Sequence, residues 1–241
     1  MNNYLILKMT FRNRRFIFFT LIIPILWYIL IRLLNHNYAQ IASNSLLMVT
    51  CAILAGIAGN SLVTFAKSVN YTNDFYLLQI ETSPYSIKKW LSDDILVQTI
   101  LNAVISVAVL IFGMILGDYG LSWNLLIVFC LLLYIGIYLS LFGFLIGQWL
   151  DVQTLDATSF FLMFLVMFFL IPFHEFASGK WIQLITKVQQ LFPFYYLYQI
   201  FTSKLLGQTW IINLIWLVGT SLLTGVPAII AIYYLLKKRI V

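Results

Sequence analysis

The residues able to do chemistry in this chain are few and far apart. A metal-dependent hydrolase needs clustered histidines or a His/Glu set, because a divalent ion is held by three or four donors at once. The two histidines, His36 and His174, fall in different predicted loops. His174 neighbours Glu175, but one imidazole and one carboxylate read as an interfacial polar pair before they read as a gate or a weak metal site. Cys51 and Cys130 lie inside apolar runs with no metal-knuckle spacing and read as packing residues. A phosphate-cradling Walker A loop ends in Gly-Lys-Ser/Thr, whereas Gly179-Lys180 is followed here by Trp181. No predicted span brings together a nucleophile, a base and an orienting group, which disfavours an intramembrane enzyme. None carries an ionisable residue near its middle, which disfavours a proton- or ion-coupled carrier. The expectation is a chain with no catalytic residue, no metal and no cofactor of its own, drawing any energy for transport from another chain.

The elements that carry these residues are set by composition. Hydrophobic residues make up 62% of the 241 positions and charged residues 9%, with a mean hydropathy of +0.97. A soluble domain carries about 25% charged residues to build its outer shell, so the main solvent of this chain is lipid. The formal charge of +6 does not point to nucleic acid: the basic residues stand at the edges of apolar runs, where they suit lipid headgroups, and form no stripe with interleaved aromatics. The apolar stretch from Phe16 is longer than a signal-peptide core and no small-residue cleavage pattern follows it, so it is expected to stay as an anchor.

A helix needs about 20 apolar residues to cross a bilayer. Six stretches qualify: Phe16 to Leu34, Ile41 to Ala66, Ile95 to Gly117, Trp123 to Trp149, Ala157 to Phe173 and Trp210 to Leu235. The fifth is the shortest, and only the first holds a charge, Arg32, close enough to one end to reach the interface. Positive loops are retained in the cytoplasm. With the N-terminus inside, Lys8, Arg12, Arg14, Arg15, Lys67, Lys88, Lys89, Lys237, Lys238 and Arg239 fall on the inner side, against Arg32, Lys180, Lys187 and Lys204 outside. Both termini are therefore expected in the cytoplasm, as an even number of spans requires. The expected fold is an all-α membrane protein of one domain, residues 1–241.

Between the fifth and sixth spans, Pro172 to Leu206 is aromatic-rich but broken by charges and Pro193. Trp181, Phe192, Phe194, Tyr195, Tyr196 and Tyr198 suit a membrane interface, so short helices dipping into the outer leaflet are expected. In the fourth span Gly136, Ser140, Gly143 and Gly147 share one helical face, and Gly113 with Gly117 forms a second small-residue pair in the third. Both allow close backbone approach, within the chain or across a dimer. Asn60, Ser61, Thr64, Asn102 and Ser106 are the polar groups of the second and third spans; they either line a pathway or hydrogen-bond helix to helix.

The inner loop between spans two and three runs Asn73-Asp74-Phe75-Tyr76-Leu77-Leu78-Gln79-Ile80-Glu81-Thr82-Ser83-Pro84-Tyr85-Ser86, then Ile87-Lys88-Lys89-Trp90-Leu91. Its pattern predicts a short surface helix, a proline break and a restart, with Phe75, Leu78 and Thr82 on one side and Asp74, Gln79 and Glu81 facing water or a partner.

At these residues the sequence resembles the membrane subunits of ABC type-two exporters, which pair with a separate ATP-hydrolysing subunit. Leu77-Leu78 through Thr82-Ser83-Pro84 and Lys88-Lys89 are similar to that family's inner loop. Ile171-Pro172 through Trp181-Ile182-Gln183-Leu184-Ile185 to Leu191-Phe192-Pro193-Phe194-Tyr195 is similar to its outer hairpin, and Lys8 to Arg15 to its cytoplasmic-surface helix. The likeness runs along nearly the whole chain, but each motif is short. The family often has Glu-Arg-Gly where this chain has Asn73-Asp74-Phe75.

The resemblance implies a permease that pairs with cytoplasmic ABC ATPase subunits and with a second copy or a sibling permease, ATP and Mg being held only by the ATPase. Asp74, Gln79 and Glu81 would supply polar contacts to that ATPase, Phe75 and Tyr76 apolar anchors, and Pro84 the turn. An amphipathic drug, peptide antibiotic or lipid-like molecule is the expected cargo. The competing reading is a non-transporting immunity or sensor subunit that binds an antimicrobial peptide and needs no such loop.

Overall fold

The computed structural model describes residues 7, 8, 12, 18–36, 45–84, 86–176, 178–205 and 209–240. Most of the basic segment Lys8 to Arg15, Tyr85, and the side chains of His36, Glu175, Lys204, Lys238 and Arg239 lie outside the described residues. Among the described residues every regular element is helical: α1 (Ile23–His36) after a π-turn (Phe18–Ile22), α2 (Ser45–Ala58), a second π-turn (Gly59–Thr64), α3 (Phe65–Thr82), α4 (Ile87–Ile115), α5 (Trp123–Trp149), α6 (Val152–Leu170), α7 (Phe173–Phe176), α8 (Lys180–Gln189), α9 (Pro193–Leu205) and α10 (Ile211–Ile240).

Five of the helical stretches are long and apolar enough to cross a membrane: Leu47–Thr82, Lys88–Ile115, Trp123–Trp149, Val152–Leu170 and Ile211–Lys237. The described part of the first predicted span, from Phe18, is helical, but its apolar stretch, Thr20–Leu30, is shorter than the others. Toward the end of α1, Arg32 Nε meets Asp118 Oδ1 at 2.9 Å, and Tyr28 donates its hydroxyl proton to Asp118 Oδ2 at 2.6 Å.

One boundary differs from the sequence-based expectation. The second span does not end at Ala66 with a separate surface helix after it. α2, the π-turn and α3 form one unbroken helical run to Thr82, because no glycine or proline interrupts Phe65 to Thr82. The run ends where Pro84 forces its predecessor out of the helical region: Ser83 is extended, at φ −143° and ψ 165°. The helix that carries the third span restarts at Ile87, eight residues before the apolar run from Ile95, since Ser86 caps it by accepting from the Lys89 N–H at 3.3 Å. Trp90, Asp93 and Asp94 are thereby drawn into its first turns.

α5 is the hub, packed against α2, the second π-turn, α3, α4 and α10. Its small-residue face makes this possible. A Cβ at Gly143 would stand 1.8 Å from the Ser61 carbonyl oxygen, and one at Gly147 would stand 2.4 Å from that of Ala66. A Cβ at Gly136 would stand 2.8 Å from Asn102 Nδ2. The stripe is therefore used within the chain, backbone against backbone.

The second small pair works differently from two helices in close approach. Gly117 ends α4 in the left-handed region (φ +75°), its N–H bonding to Met114 O at 3.0 Å and the next N–H, of Asp118, to Gly113 O at 3.2 Å. This Schellman ending is what aims Asp118 at Tyr28 and Arg32. Gly113 leaves room for the Tyr119 ring, whose hydroxyl would lie 2.2 Å from any Cβ there.

α7, α8 and α9 hold 4, 10 and 13 residues, so none can cross a bilayer. Gln189, fully buried, ties this hairpin to α6 by donating from Nε2 to the carbonyls of Phe168 (2.8 Å) and Ile171 (2.7 Å) at that helix's C-terminal end.

Gly143→Ala and Gly147→Ala must push rigid backbone apart, and each is expected to cost about 1–3 kcal/mol. Gly219→Ala in α10, where nothing lies within 4 Å of the added carbon, should leave stability unchanged or slightly raised. Thermal unfolding of the detergent-solubilised chain, followed by fluorescence, checks the contrast.

Candidate functional site

Two polar contacts tie α3 to the end of α5 and the start of α6. Lys67 pairs with Asp156 in the second turn of α6, and Asn70 Nδ2 donates to the carbonyls of Gly147 (3.2 Å) and Leu150 (2.9 Å) at the end of α5. From Tyr71 to Thr82 the helix runs on for roughly 18 Å at 1.5 Å per residue.

That extension has two faces. Val69, Asn73 and Tyr76 recur at steps of four and three and are buried. Opposite them Tyr71, Phe75 and Leu78 recur at the same steps and are 72%, 55% and 61% exposed, with Thr82 continuing the row. Asp74 and Glu81 are exposed along its edge, and Gln79 is half-buried. Pro84 is exposed at the break.

The expectation for Tyr76 is corrected here. Its ring is 2% exposed and stacks on Trp90 with centroids 4.8 Å apart and planes at 23°. Being on the buried face, it offers no surface to a partner; Phe75, one residue earlier and about 100° around the helix, does. The Trp90 ring also meets Phe144 of α5 edge-on at 5.1 Å, and its Nε1–H donates to Asp94 Oδ2 at 2.8 Å. Ile232 and Leu236 of α10 complete the cluster. Trp90 is thus the pivot that clasps both sides of the loop to α5 and α10. Its signal in the sequence is the one-turn spacing of Trp90 and Asp94 just after the restart at Ile87.

The polar residues of spans two and three converge. Asn60 Nδ2 donates to Asn102 Oδ1 at 2.9 Å, and Asn102 Nδ2 donates to Ser61 Oγ at 2.9 Å. Ser140 of α5 reaches Ser61 Oγ at 3.3 Å, Gln98 Nε2 lies 3.5 Å from the same atom, and Ser106 Oγ donates back to the Asn102 carbonyl at 2.8 Å. Asn60, Ser61, Asn102 and Ser106 are all buried, and they bond helix to helix across the π-turn, α4 and α5. Thr64 stands apart, exposed and donating only to Gly59 O of its own turn at 3.4 Å. Ser140 and Gln98 were not singled out as members of this network from the sequence. Among the described residues no group of three or more His, Cys, Asp or Glu could hold a metal ion. His174 lies exposed, its ring 5.8 Å from that of Tyr195.

No protein-family model, curated protein or solved structure matches this chain. The class that its fold defines is an all-helical, multi-pass membrane protein with five long apolar helices among the described residues.

Two stability measurements follow. Tyr76→Ala empties a buried aromatic site and should cost about 3–5 kcal/mol, whereas Phe75→Ala should stay within about 0.5 kcal/mol of wild type. In a double-mutant cycle, Asn60→Ala and Asn102→Ala should couple by about 0.6 kcal/mol, with 1.7 as the expected ceiling for such pairs. Unfolding of the chain in mixed micelles reads both.

Proposed function

We propose that this chain is the membrane permease subunit of an ATP-driven ABC exporter, moving an amphipathic drug, peptide antibiotic or lipid-like substrate outward. In this reading it crosses the cytoplasmic membrane six times, α1 included, with both ends inside. It works as a dimer with itself or a sibling permease, and separate ATPase subunits hold ATP and Mg.

The observation that carries the proposal is the exposed row Tyr71, Phe75 and Leu78, edged by Asp74 and Glu81, on a helix that continues a membrane span without a break. An apolar row past the Lys67/Asp156 level faces water unless a partner covers it, and a desolvated aromatic anchor such as Phe75 can dominate an interface. A push on that row is carried up the helix to the second π-turn, and through Tyr76 and Trp90 to α4, α5 and α10. ATP-driven closure of the partner would then bias the bundle between two packed arrangements.

The test is co-purification of the detergent-solubilised chain with each ABC ATPase of its source cell, using wild type, Phe75→Ala/Leu78→Ala and Lys88→Ala. Wild type and Lys88→Ala should retain one ATPase. The double variant, still folded because both side chains are exposed, should lose affinity by about 30-fold or more, as expected for an interface hot spot. Retention of no ATPase by wild type would favour a non-transporting subunit that binds an antimicrobial peptide, and undiminished binding by the double variant would remove α3 as the docking element.

A further inference from the structure

We infer that α8 is a binding site for anionic phospholipid headgroups. Three rows run along this ten-residue helix. Ile182, Ile185 and Gln189 turn inward. Trp181, Leu184 and Val188, with Leu191 just past the end, form a second row at helical spacing and are 81%, 55%, 40% and 53% exposed. Beside that apolar row stand Lys180 and Lys187, two turns apart and both exposed, and beyond them the neutral, exposed Gln183 and Gln190.

The depth of α8 is set by Gln189. Its two bonds to Phe168 O and Ile171 O hold the helix against the C-terminal end of α6, one of the five spanning helices, and hence against the edge of the hydrocarbon layer. A helix held there, too short to cross, meets acyl chains with its apolar row and headgroups with its cations. Lys180 to Gln189 contains no carboxylate, so the row of positive charge faces outward uncompensated along the helix itself and suits phosphate. Each lysine near an anionic leaflet enriches such lipids on the order of fivefold. This site is independent of any ATPase, so it stands or falls separately from the transport proposal.

The test uses the full-length chain in phosphatidylcholine vesicles doped, at equal fraction, with brominated phosphatidylglycerol or brominated phosphatidylcholine. The Trp181 contribution is isolated as the difference between wild type and Trp181→Phe. The phosphatidylglycerol quencher should be enriched about fivefold or more around Trp181, K180Q/K187Q should quench equally with both lipids, and K180R/K187R should keep the preference. Equal quenching in wild type, a preference that survives in K180Q/K187Q, or no quenching by either lipid would overturn the site. Loss of the preference on adding inorganic phosphate at constant ionic strength would assign the lysines to a free anion and overturn the lipid reading.

Discussion

The fold depends on one backbone contact, the face of α5 that carries Gly143 and Gly147 laid against the carbonyls of Ser61 and Ala66. In lipid there is no hydrophobic gain in pushing two apolar helices together, since acyl chains are as apolar as leucine; close van der Waals contact and hydrogen bonds must do it. Removing two side chains brings the helices near enough for Ser140 to reach Ser61 and for Asn70 to reach the terminal carbonyls of α5. The polar network is a consequence of that approach. It also fixes rotation: two serines, two asparagines and a glutamine can meet only in one register of α4 and α5 around the π-turn.

The π-turn itself has a physical role in this arrangement. A π-turn widens the helix and changes which residues face a neighbour beyond it. Below Gly59–Thr64 the buried face becomes Phe65, Val69, Asn73 and Tyr76, and this phase puts Tyr76 on Trp90 and leaves Phe75 outside. Asn60 and Ser61, within the turn, are held by α4 and α5. The exposure of the Phe75 row is therefore linked to the interior hydrogen bonds by the phase of one helix.

Much of the fold is legible in the sequence because apolar length and glycine spacing are local properties. The 20-residue runs mark four of the five long helices close to their observed cores, and the steps between Gly136, Ser140, Gly143 and Gly147 mark a single face. The faces of α3 were harder to read. Phe75, Leu78 and Thr82 look like a buried side by hydrophobicity alone, yet the helix buries Asn73 and Tyr76 instead. What decides is the stacking partner of Tyr76, Trp90, fourteen residues downstream, and no local period records it. The end of α4 shows the same limit. Gly113 and Gly117 have the spacing of a helix-packing pair, but the left-handed φ of Gly117 makes them a chain-reversing cap.

Exposure in a membrane protein carries meaning only once the level of each residue is known. α6 is the least covered of the five long helices, with Phe160, Phe161 and Phe164 exposed, and lipid alone is enough to cover such a row. The same exposure at Tyr71, Phe75 and Leu78 has a different setting, because that row begins past Lys67 and Asn70, which are tied to the start of α6 and the end of α5. Asp74 and Glu81 beside it are ill suited to acyl chains, where a carboxylate is costly. On the reading proposed above, the acids beside the α3 row suit a protein partner, whereas the lysines beside the α8 row suit headgroups. The sign of the neighbouring charge and the height along the bundle together separate two surfaces that hydrophobicity alone would class as one.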